Sequence, residues 1–162
     1  DHLTKESGGN VYDNETVKVT ASNLGGCIGL RYAVEFNNFD KSKNEKFFHS
    51  SHKEPNSWLM YDFVNRKVNP TGYSIRTRGR CDEYHPRNWV IEGSNDEHYW
   101  TILDNIPRNE TGLTGIGVTC YFKIERKNKS YRFLRIRQLG TNSNGSYGLL
   151  LSALEFFGSL QQ

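Results

Sequence analysis

Short segments in which apolar and polar residues alternate, or in which nearly every residue is apolar, recur along the chain between clusters of turn residues. Such segments predict strands, because successive side chains of a strand point to opposite faces of a sheet. No segment has the sustained periodicity of an amphipathic helix. The pattern predicts eight strands, at residues 17–22, 58–63, 73–78, 89–94, 100–103, 118–124, 133–139 and 148–157.

Two of these segments carry a more specific prediction. Segment 148–157 is apolar on both faces and is predicted to be a central strand that is covered on both sides. In segment 118–124 the apolar residues fall on one face, which makes Cys120 a core thiol. The inward set is Val118, Cys120, Phe122 and Ile124.

Clusters of Gly, Asn, Pro and Ser lie between the strands. They predict turns, because Gly and Asn tolerate positive φ and Pro presets its own φ. The predicted turns are 69–72, 93–96, 107–117 and 140–148. Since no repeat or linker divides the chain, and its length suits one domain, residues 1–162 are expected to form a single domain.

Composition favours a β-rich protein and argues against two classes of partner. Aromatic residues make up 13% of the chain, and their large flat side chains suit pleated sheets better than helices. The 21 basic and 18 acidic residues leave a charge of +3, too small for the electrostatic footprint of a nucleic-acid binder. No apolar run approaches the ~18 residues of a membrane span. We expect neither a nucleic-acid nor a membrane partner.

Cysteine and histidine residues give no metal or catalytic motif. The number of cysteines is odd and their spacing fits no short-range metal motif, so reduced thiols are predicted. His49 and His52 could form half of a metal site with Cys81 or His85, but zinc usually needs three or four fixed ligands, and no metal site is predicted. Without a nucleophile elbow, a His-Glu-x-x-His motif or a P-loop, no catalytic residue or enzymatic activity is predicted. The cysteines are Cys27, Cys81 and Cys120.

Five segments follow one another in a recognisable order. They are Asn-Ser-Trp-Leu-Met-Tyr-Asp-Phe at 56–63, Tyr-Ser-Ile at 73–75, Trp-Val-Ile-Glu-Gly-Ser-Asn-Asp-Glu-His-Tyr-Trp at 89–100, Arg-Phe-Leu-Arg-Ile at 132–136 and Leu-Ser-Ala-Leu-Glu-Phe-Phe-Gly at 151–158. Their order and spacing are more specific than any one of them. Together they resemble the discoidin family, also called coagulation factor V/VIII C-type domains.

The resemblance implies an all-β fold, a two-sheet antiparallel jelly-roll sandwich of the galactose-binding-domain type with about eight strands. It gives Arg135 a structural role at the rim of the core. One departure is Glu97, which stands where the family usually has Gly after Asp96 and which a turn of another type would tolerate. The residues predicted to lose most of their exposure are Trp58, Tyr73, Trp89, Trp100, Ile136, Leu151 and Phe157.

The resemblance also bears on the cellular setting. Extracellular members commonly close the domain with a Cys near each end, and this chain has no such pair. The odd number of cysteines and the absence of a signal-peptide pattern agree with that departure. Similarity to the intracellular members is therefore favoured, and these are often part of a larger chain.

In related domains a ligand binds at one end of the barrel, where loops 37–56, 79–88 and 140–148 are expected to meet. Sugar-binding members use Arg, His, Asp or Glu beside an aromatic platform, a mixture that suits a polyol. A carbohydrate or similar polar ligand is one expected function, and docking of a protein partner is the other. The candidate ligand-binding residues are Phe48, His49, His52, Arg80, Asp82, His85, Arg87 and Tyr147.

Two further readings of these loops stay open. The loops could be ordinary polar connections, with Phe47 and Phe48 tucked under the barrel. Some family members hold a structural calcium ion through loop carbonyls, for which Asp40 and the Asn37–Asn38 pair are candidates, although carbonyl ligation leaves no sequence signature. No cofactor is predicted.

Overall fold

The computed structural model describes residues 2–6, 8–26, 29–36, 46–107, 111–125 and 128–161. These residues form a short helix, a 3-10 helix and ten strands. The elements in chain order are α1 (His2–Glu6), β1 (Lys18–Ala21), the 3-10 helix (Leu30–Val34), β2 (Phe48–His49), β3 (Trp58–Asp62), β4 (Lys67–Arg76), β5 (Trp89–Ser94), β6 (Thr101–Ile106), β7 (Thr119–Lys123), β8 (Phe133–Gln138), β9 (Leu150–Leu151) and β10 (Ala153–Gln161).

The strands form two larger antiparallel sheets and one small ribbon. The five-stranded sheet has the order β1-β3-β8-β5-β6, the three-stranded sheet has the order β10-β4-β7, and β2 pairs with β9. Side chains from both larger sheets meet in one hydrophobic core. The predicted all-β jelly-roll fold is confirmed. Within the described residues, no helix is long and apolar enough to span a membrane.

The seven residues predicted to lose most of their exposure do so to different degrees. Tyr73, Trp89, Ile136 and Leu151 are fully buried. Trp58 and Trp100 are only half-buried, because they lie on the outer face of the five-stranded sheet, where both rings contact the guanidinium of Arg135. Phe157 keeps the largest exposed fraction of the seven, since it remains 37% exposed beside Tyr121.

The segment predicted as one central strand is divided in two. Residue Ser152 separates β9 from β10, and β10 lies at the edge of the three-stranded sheet. The prediction of a covered central strand is therefore wrong. Its apolar residues on both faces have another explanation, because Phe156 packs edge-on against Tyr61 and Phe157 packs against Tyr121.

Residues 69–72, predicted as a turn, lie within β4. The pairing of β4 with β10 shifts register between Phe157 and Gly158, and Gly158 is opposite Pro70. Proline has no N–H to donate to a ladder and is tolerated in strands at bulges. The turn-like composition therefore marks an irregularity inside a long strand.

The outer face of the five-stranded sheet carries a network of ion pairs. Arg135 and Arg137 both donate to Glu92, whose side chain is only 5% exposed. Burial opposes ionisation of Glu92, but the two guanidinium groups outweigh it, so the pKa of Glu92 lies below its usual value. Arg132 makes a two-point ion pair with Asp62. These arginines are therefore engaged within the domain, in keeping with a structural role for Arg135.

Candidate functional site

Three loops meet at one end of the five-stranded sheet. Trp58 pairs with Arg137, and Trp89 pairs with Gln138, so the segments before β3, before β5 and after β8 leave the sheet on the same side. The loops are also bonded to one another. Tyr84 N donates to Asn144 Oδ1, Ser143 N donates to His85 O, and Tyr147 N donates to His52 O. The sequence prediction that these loops converge agrees with this geometry.

Five side chains form a connected group at this end, which we call the loop-end cluster. The ring centroids of His49 and His52 are 4.5 Å apart, and those of His52 and Tyr84 are 5.0 Å apart. Phe47 lies beside His49 at 6.2 Å. The Cζ atom of Arg78 lies 4.4 Å from the ring centroid of Phe47 and 5.8 Å from that of Tyr84. A guanidinium is thus held against two aromatic rings.

The hydrogen-bonding capacity of Arg78 is largely unused. Its Nε is shielded from solvent without a partner, and no hydrogen bond or ion pair of its guanidinium is found among the described residues. Buried or half-buried polar groups are usually satisfied, and an unmade hydrogen bond costs free energy. A ligand with acceptor oxygens would satisfy Arg78.

The two histidines of the cluster differ in their environment. Ser146 Oγ lies 2.7 Å from Nδ1 of His52 and fixes its ring. A Cβ on Gly148 would lie 2.6 Å from the same nitrogen, so the glycine leaves room for the imidazole. His49 Nε2 is buried without a partner in the described structure. Burial, and then the charges of His52 and Arg78, lower the pKa of His49 below 6.5.

Asp82 and His85 form a pair in which the imidazole is buried and the carboxylate is exposed. His85 is only 4% exposed, and its Nε2 lies 2.6 Å from Asp82 Oδ1, which also accepts from Gly115 N. The hydrogen bonds of His85 and Gly115 lower the pKa of Asp82. The expectation that His85 offers its ring to a ligand is corrected, because the ring is buried.

Phe48 is also corrected as a candidate ligand contact. It is fully buried in the core and pairs with Leu151 in the β2–β9 ribbon. The alternative interpretation of Phe47 and Phe48, rings tucked under the barrel, agrees with the burial of both. Phe47 nevertheless contacts Arg78 from beneath the loops.

The remaining candidates lie on the same loops as the cluster. Arg80 is exposed, Tyr147 is 40% exposed, and Arg87 is half-buried. Sequence reasoning missed Arg78 as a member of the site, and it placed Tyr84 in the loop 79–88 at the ligand end without including it in the final list of candidates. Arg78 was included in a predicted strand, although β4 ends at Arg76 and Arg78 already belongs to the loop end. An arginine just beyond the end of a strand, before a loop rich in polar residues, is the signal that could have found it.

Metal ligation receives no support from the described part of the chain. No group of three or more His, Cys, Asp or Glu side chains there could hold a metal ion. Cys81 and Cys120 are free thiols, and Cys120 packs at the edge of the core. Cys27 and the calcium candidates Asp40 and Asn37–Asn38 lie outside the described residues.

A cavity of about 560 Å³ lies elsewhere in the molecule. Its walls are mostly apolar and include Val17, Phe63, Leu154 and Leu160. It shares no lining residue with the loop-end cluster, and its Tyr61 hydroxyl is already bonded to backbone carbonyls. Binding sites usually combine apolar walls with a few converging polar groups, and these converge at the loop end.

The loop-end cluster can recognise a ligand that is polar on its edges and apolar on its faces. Tyr84 offers a half-exposed ring, Arg78 offers N–H donors, and His52 offers a fixed imidazole. Aromatic faces contact C–H surfaces, while a guanidinium binds paired oxygens.

Comparison with known proteins gives both a family and relatives. A family model described as F5/8 type C domain matches residues 18–152. The chain is 33% identical over 95 residues to E3 ubiquitin-protein ligase hecd-1 of Caenorhabditis elegans, and 32% identical over 106 residues to E3 ubiquitin-protein ligase Ufd4 of Drosophila melanogaster. These alignments cover 57% and 63% of this chain but only 4% of each relative.

Solved structures with the same fold include carbohydrate-binding modules. One is CpGH89CBM32-5 from Clostridium perfringens in complex with GalNAc-β-1,3-galactose, with a TM-score of 0.67, 11% identity, and coverage of 89% of this chain and 96% of that one. Another is the family 32 CBM of NanJ from C. perfringens in complex with galactose, with a TM-score of 0.63, 12% identity, and coverage of 91% and 95%. At such identities the likeness concerns the fold.

Proposed function

Because this chain belongs to the F5/8 type C (discoidin) domain family, we propose that it is a non-catalytic binding module that recognises a carbohydrate at its loop end. The observation that carries the proposal is the position of Arg78, whose guanidinium is held between Phe47 and Tyr84 with its N–H groups unused by the described residues. The fold is that of non-catalytic binding modules, which supports the first part of the proposal.

Each member of the cluster has a separate role in this proposal. Arg78 donates to ring hydroxyls or other oxygens of the sugar, and His52, oriented by Ser146, adds a further hydrogen bond. Tyr84 provides a face for the sugar's C–H groups. Arg80, Arg87 and Tyr147 are proposed to make additional contacts from the rim, whereas Phe48 and His85 support the loops from within.

A glycan array with the purified domain tests the proposal, followed by calorimetry on the sugars that bind. Replacing Arg78→Gln should weaken binding about tenfold or more, because a charge-assisted hydrogen bond contributes about 1.5 to 3 kcal/mol. Lys53→Gln is the matched control, since Lys53 is an exposed cation in the loop that carries His52. If Arg78→Gln retains its fold and binds a glycan with unchanged affinity, the site is not at the loop-end cluster.

Docking of a protein partner is the second candidate function. The observation that favours it is the similarity to hecd-1 and Ufd4, which are far longer than the matched region. In such a chain the module would bring a partner to the rest of the protein.

Competition separates the two functions. If the module binds a glycan on its partner, free glycan should release a captured partner. Enzymatic deglycosylation of the partner should also prevent its capture. Capture that survives both treatments would favour a protein epitope.

A further inference from the structure

Arg78 differs from the other arginines whose partners are described. Five of those arginines are paired with carboxylates of the same chain, namely Arg31, Arg66, Arg132, Arg135 and Arg137. Arg76 donates instead to Ser152 Oγ and to the backbone carbonyls of Glu35 and Phe36. The guanidinium of Arg78 has neither a carboxylate nor another oxygen acceptor among the described residues, so Arg78 calls for another explanation.

The surroundings of Arg78 fix its position without neutralising it. Phe47 and Tyr84 contact the guanidinium through their rings, which restricts its motion but contributes no acceptor oxygen. Because Nε is enclosed, the two Nη atoms form the edge from which the group can meet a ligand. A guanidinium held in one plane loses little conformational entropy when it binds a planar, two-oxygen group.

The neighbouring side chains do not remove the positive charge. Asp82 is the acidic residue closest to Arg78 in the sequence. Its carboxylate is bonded to His85 and to Gly115 N rather than to Arg78. Glu54 and Glu83 are exposed and make no ion pair with Arg78. The residues that do approach it within the loop-end cluster are aromatic rings and imidazoles, and none of the five cluster side chains is a carboxylate.

We infer that the loop-end site prefers an acidic sugar, whose carboxylate pairs with the Arg78 guanidinium, over the corresponding neutral sugar. The inference rests on the proposed function and narrows its substrate class to uronic acids and other carboxylated saccharides. Arginine binds carboxylates through two parallel hydrogen bonds, and such bonds are about twice as strong as those between neutral groups. Burial is the main cause of the lowered pKa of His49, and the charges of His52 and Arg78 lower it further.

Matched pairs of sugars test this inference. Calorimetry is carried out with the methyl glycosides of galactose and galacturonic acid, of glucose and glucuronic acid, and with the methyl esters of both uronides. At least one uronide should bind about tenfold tighter than its neutral partner, and esterification should abolish the difference. Raising the salt concentration should weaken uronide binding more than neutral-sugar binding.

Variants assign the preference to one residue. Arg78→Gln should remove the preference for the acid, Arg78→Lys should restore part of it, and Lys53→Gln should leave it unchanged. Thermal melting of each variant establishes that it is folded. Equal affinities for acid and neutral sugars, or a preference that persists in folded Arg78→Gln, would overturn the inference.

The outcomes also separate this inference from the proposed function. Neutral sugars that bind at the loop end without any gain from a carboxylate leave the proposed function intact and overturn only the acid preference. Failure of every array glycan and every methyl glycoside overturns both. Acetate and a short Asp/Glu peptide are included as controls, because binding as tight as that of the uronides would mean that the carboxylate alone, and not an acidic sugar, is recognised.

Discussion

Residue Glu97 has a backbone conformation that side chains rarely adopt. Its φ is 63°, in the left-handed region, within the turn that follows β5. The turn is otherwise well bonded, because Asp96 Oδ1 accepts from the backbone N–H groups of His98 and Tyr99. The resemblance to the discoidin family places a glycine here. The chain therefore keeps the glycine-like conformation, and the expected change of backbone at this position does not occur.

Replacing Glu97→Gly should stabilise the domain. The left-handed conformation costs a residue with a Cβ roughly 1 to 2 kcal/mol, and the larger entropy of glycine in the unfolded chain offsets about half of that. We expect a gain of about 0.5 to 1 kcal/mol, measured by urea unfolding. Glu125→Gly, an exposed glutamate without a positive φ, is the control and should not stabilise. A destabilised Glu97→Gly variant would contradict this account of the turn.

Sequence reasoning found the right end of the molecule but only part of the site. It recognised residue types, and so selected Phe48 and His85, but pattern alone does not distinguish a loop side chain that faces outward from one that packs inward. Phe48 is fully buried, and His85 is held by Asp82 under the loop. Arg78 becomes notable only through its distances to Phe47 and Tyr84, which depend on how the loops pack.

At the scale of elements, the long strands were predictable and the short or irregular ones were not. β5 was predicted with its observed bounds, and each of the eight predicted segments contains a strand. β2 has only two residues, too few to establish a period. β4 begins six residues earlier than predicted. Pro70 and Gly72 are typical of a turn, but the bulge opposite them accommodates Pro70 in the strand. The composition of residues 69–72 cannot show that pairing with a distant strand allows proline within β4.

Tyr73 connects the two larger sheets through hydrogen bonds. Trp89 Nε1 in β5 donates to the Tyr73 hydroxyl in β4, and that hydroxyl donates to Asp104 Oδ2 in β6. Tyr73 and Trp89 are fully buried, and Phe122 of β7 stacks on Tyr73. Burial and the bond to Asp104 raise the pKa of Tyr73, so the hydroxyl stays protonated and remains a donor.

Replacing Tyr73→Phe should destabilise the domain by about 1 to 3 kcal/mol, because the buried Trp89 N–H loses its acceptor and no new bond replaces it. Tyr121→Phe on the neighbouring strand is the matched control. That ring is 59% exposed, and its hydroxyl lies 3.5 Å from Thr71 O, so a change within about 0.5 kcal/mol is expected. Equal unfolding free energies for the two variants, from guanidinium titration, would contradict an inter-sheet role for Tyr73.

At the scale of the whole molecule, rigid sheets carry a site built from loops. The core and the Tyr73 network fix the strand ends, and hydrogen bonds among the three loops limit their motion. A preorganised site loses less conformational entropy on binding, so a small polar ligand can be held without rearrangement of the fold. The proposed acid preference then depends on charge at the site rather than on a change of shape.

That dependence on charge predicts a pH effect on binding. Burial, His52 and Arg78 hold the pKa of His49 below 6.5, and the rings beside its imidazole are those of Phe47 and His52. A bound carboxylate offsets the repulsion from Arg78 and raises this pKa, so complex formation takes up a proton. By linkage, affinity for a uronide should increase as the pH falls from the pKa of His49 in the complex toward its lower pKa in the free domain, until the carboxylate of the sugar is itself protonated at about pH 4.

The measurement is uronide affinity between pH 7.5 and 5, with the neutral glycoside and the His49→Gln variant as controls. Binding should not become tighter in either control as the pH falls. The neutral glycoside lacks the carboxylate, and the His49→Gln variant lacks the titrating group. The free domain has the opposite dependence: since the folded pKa of His49 is depressed, stability decreases as the pH falls through the interval between its ordinary and its depressed value. Melting curves at each pH therefore accompany the titrations. Tighter uronide binding at low pH that is lost in His49→Gln would support a charge interaction gained in the complex. An affinity for the uronide that does not change with pH would mean that His49 does not sense the bound carboxylate.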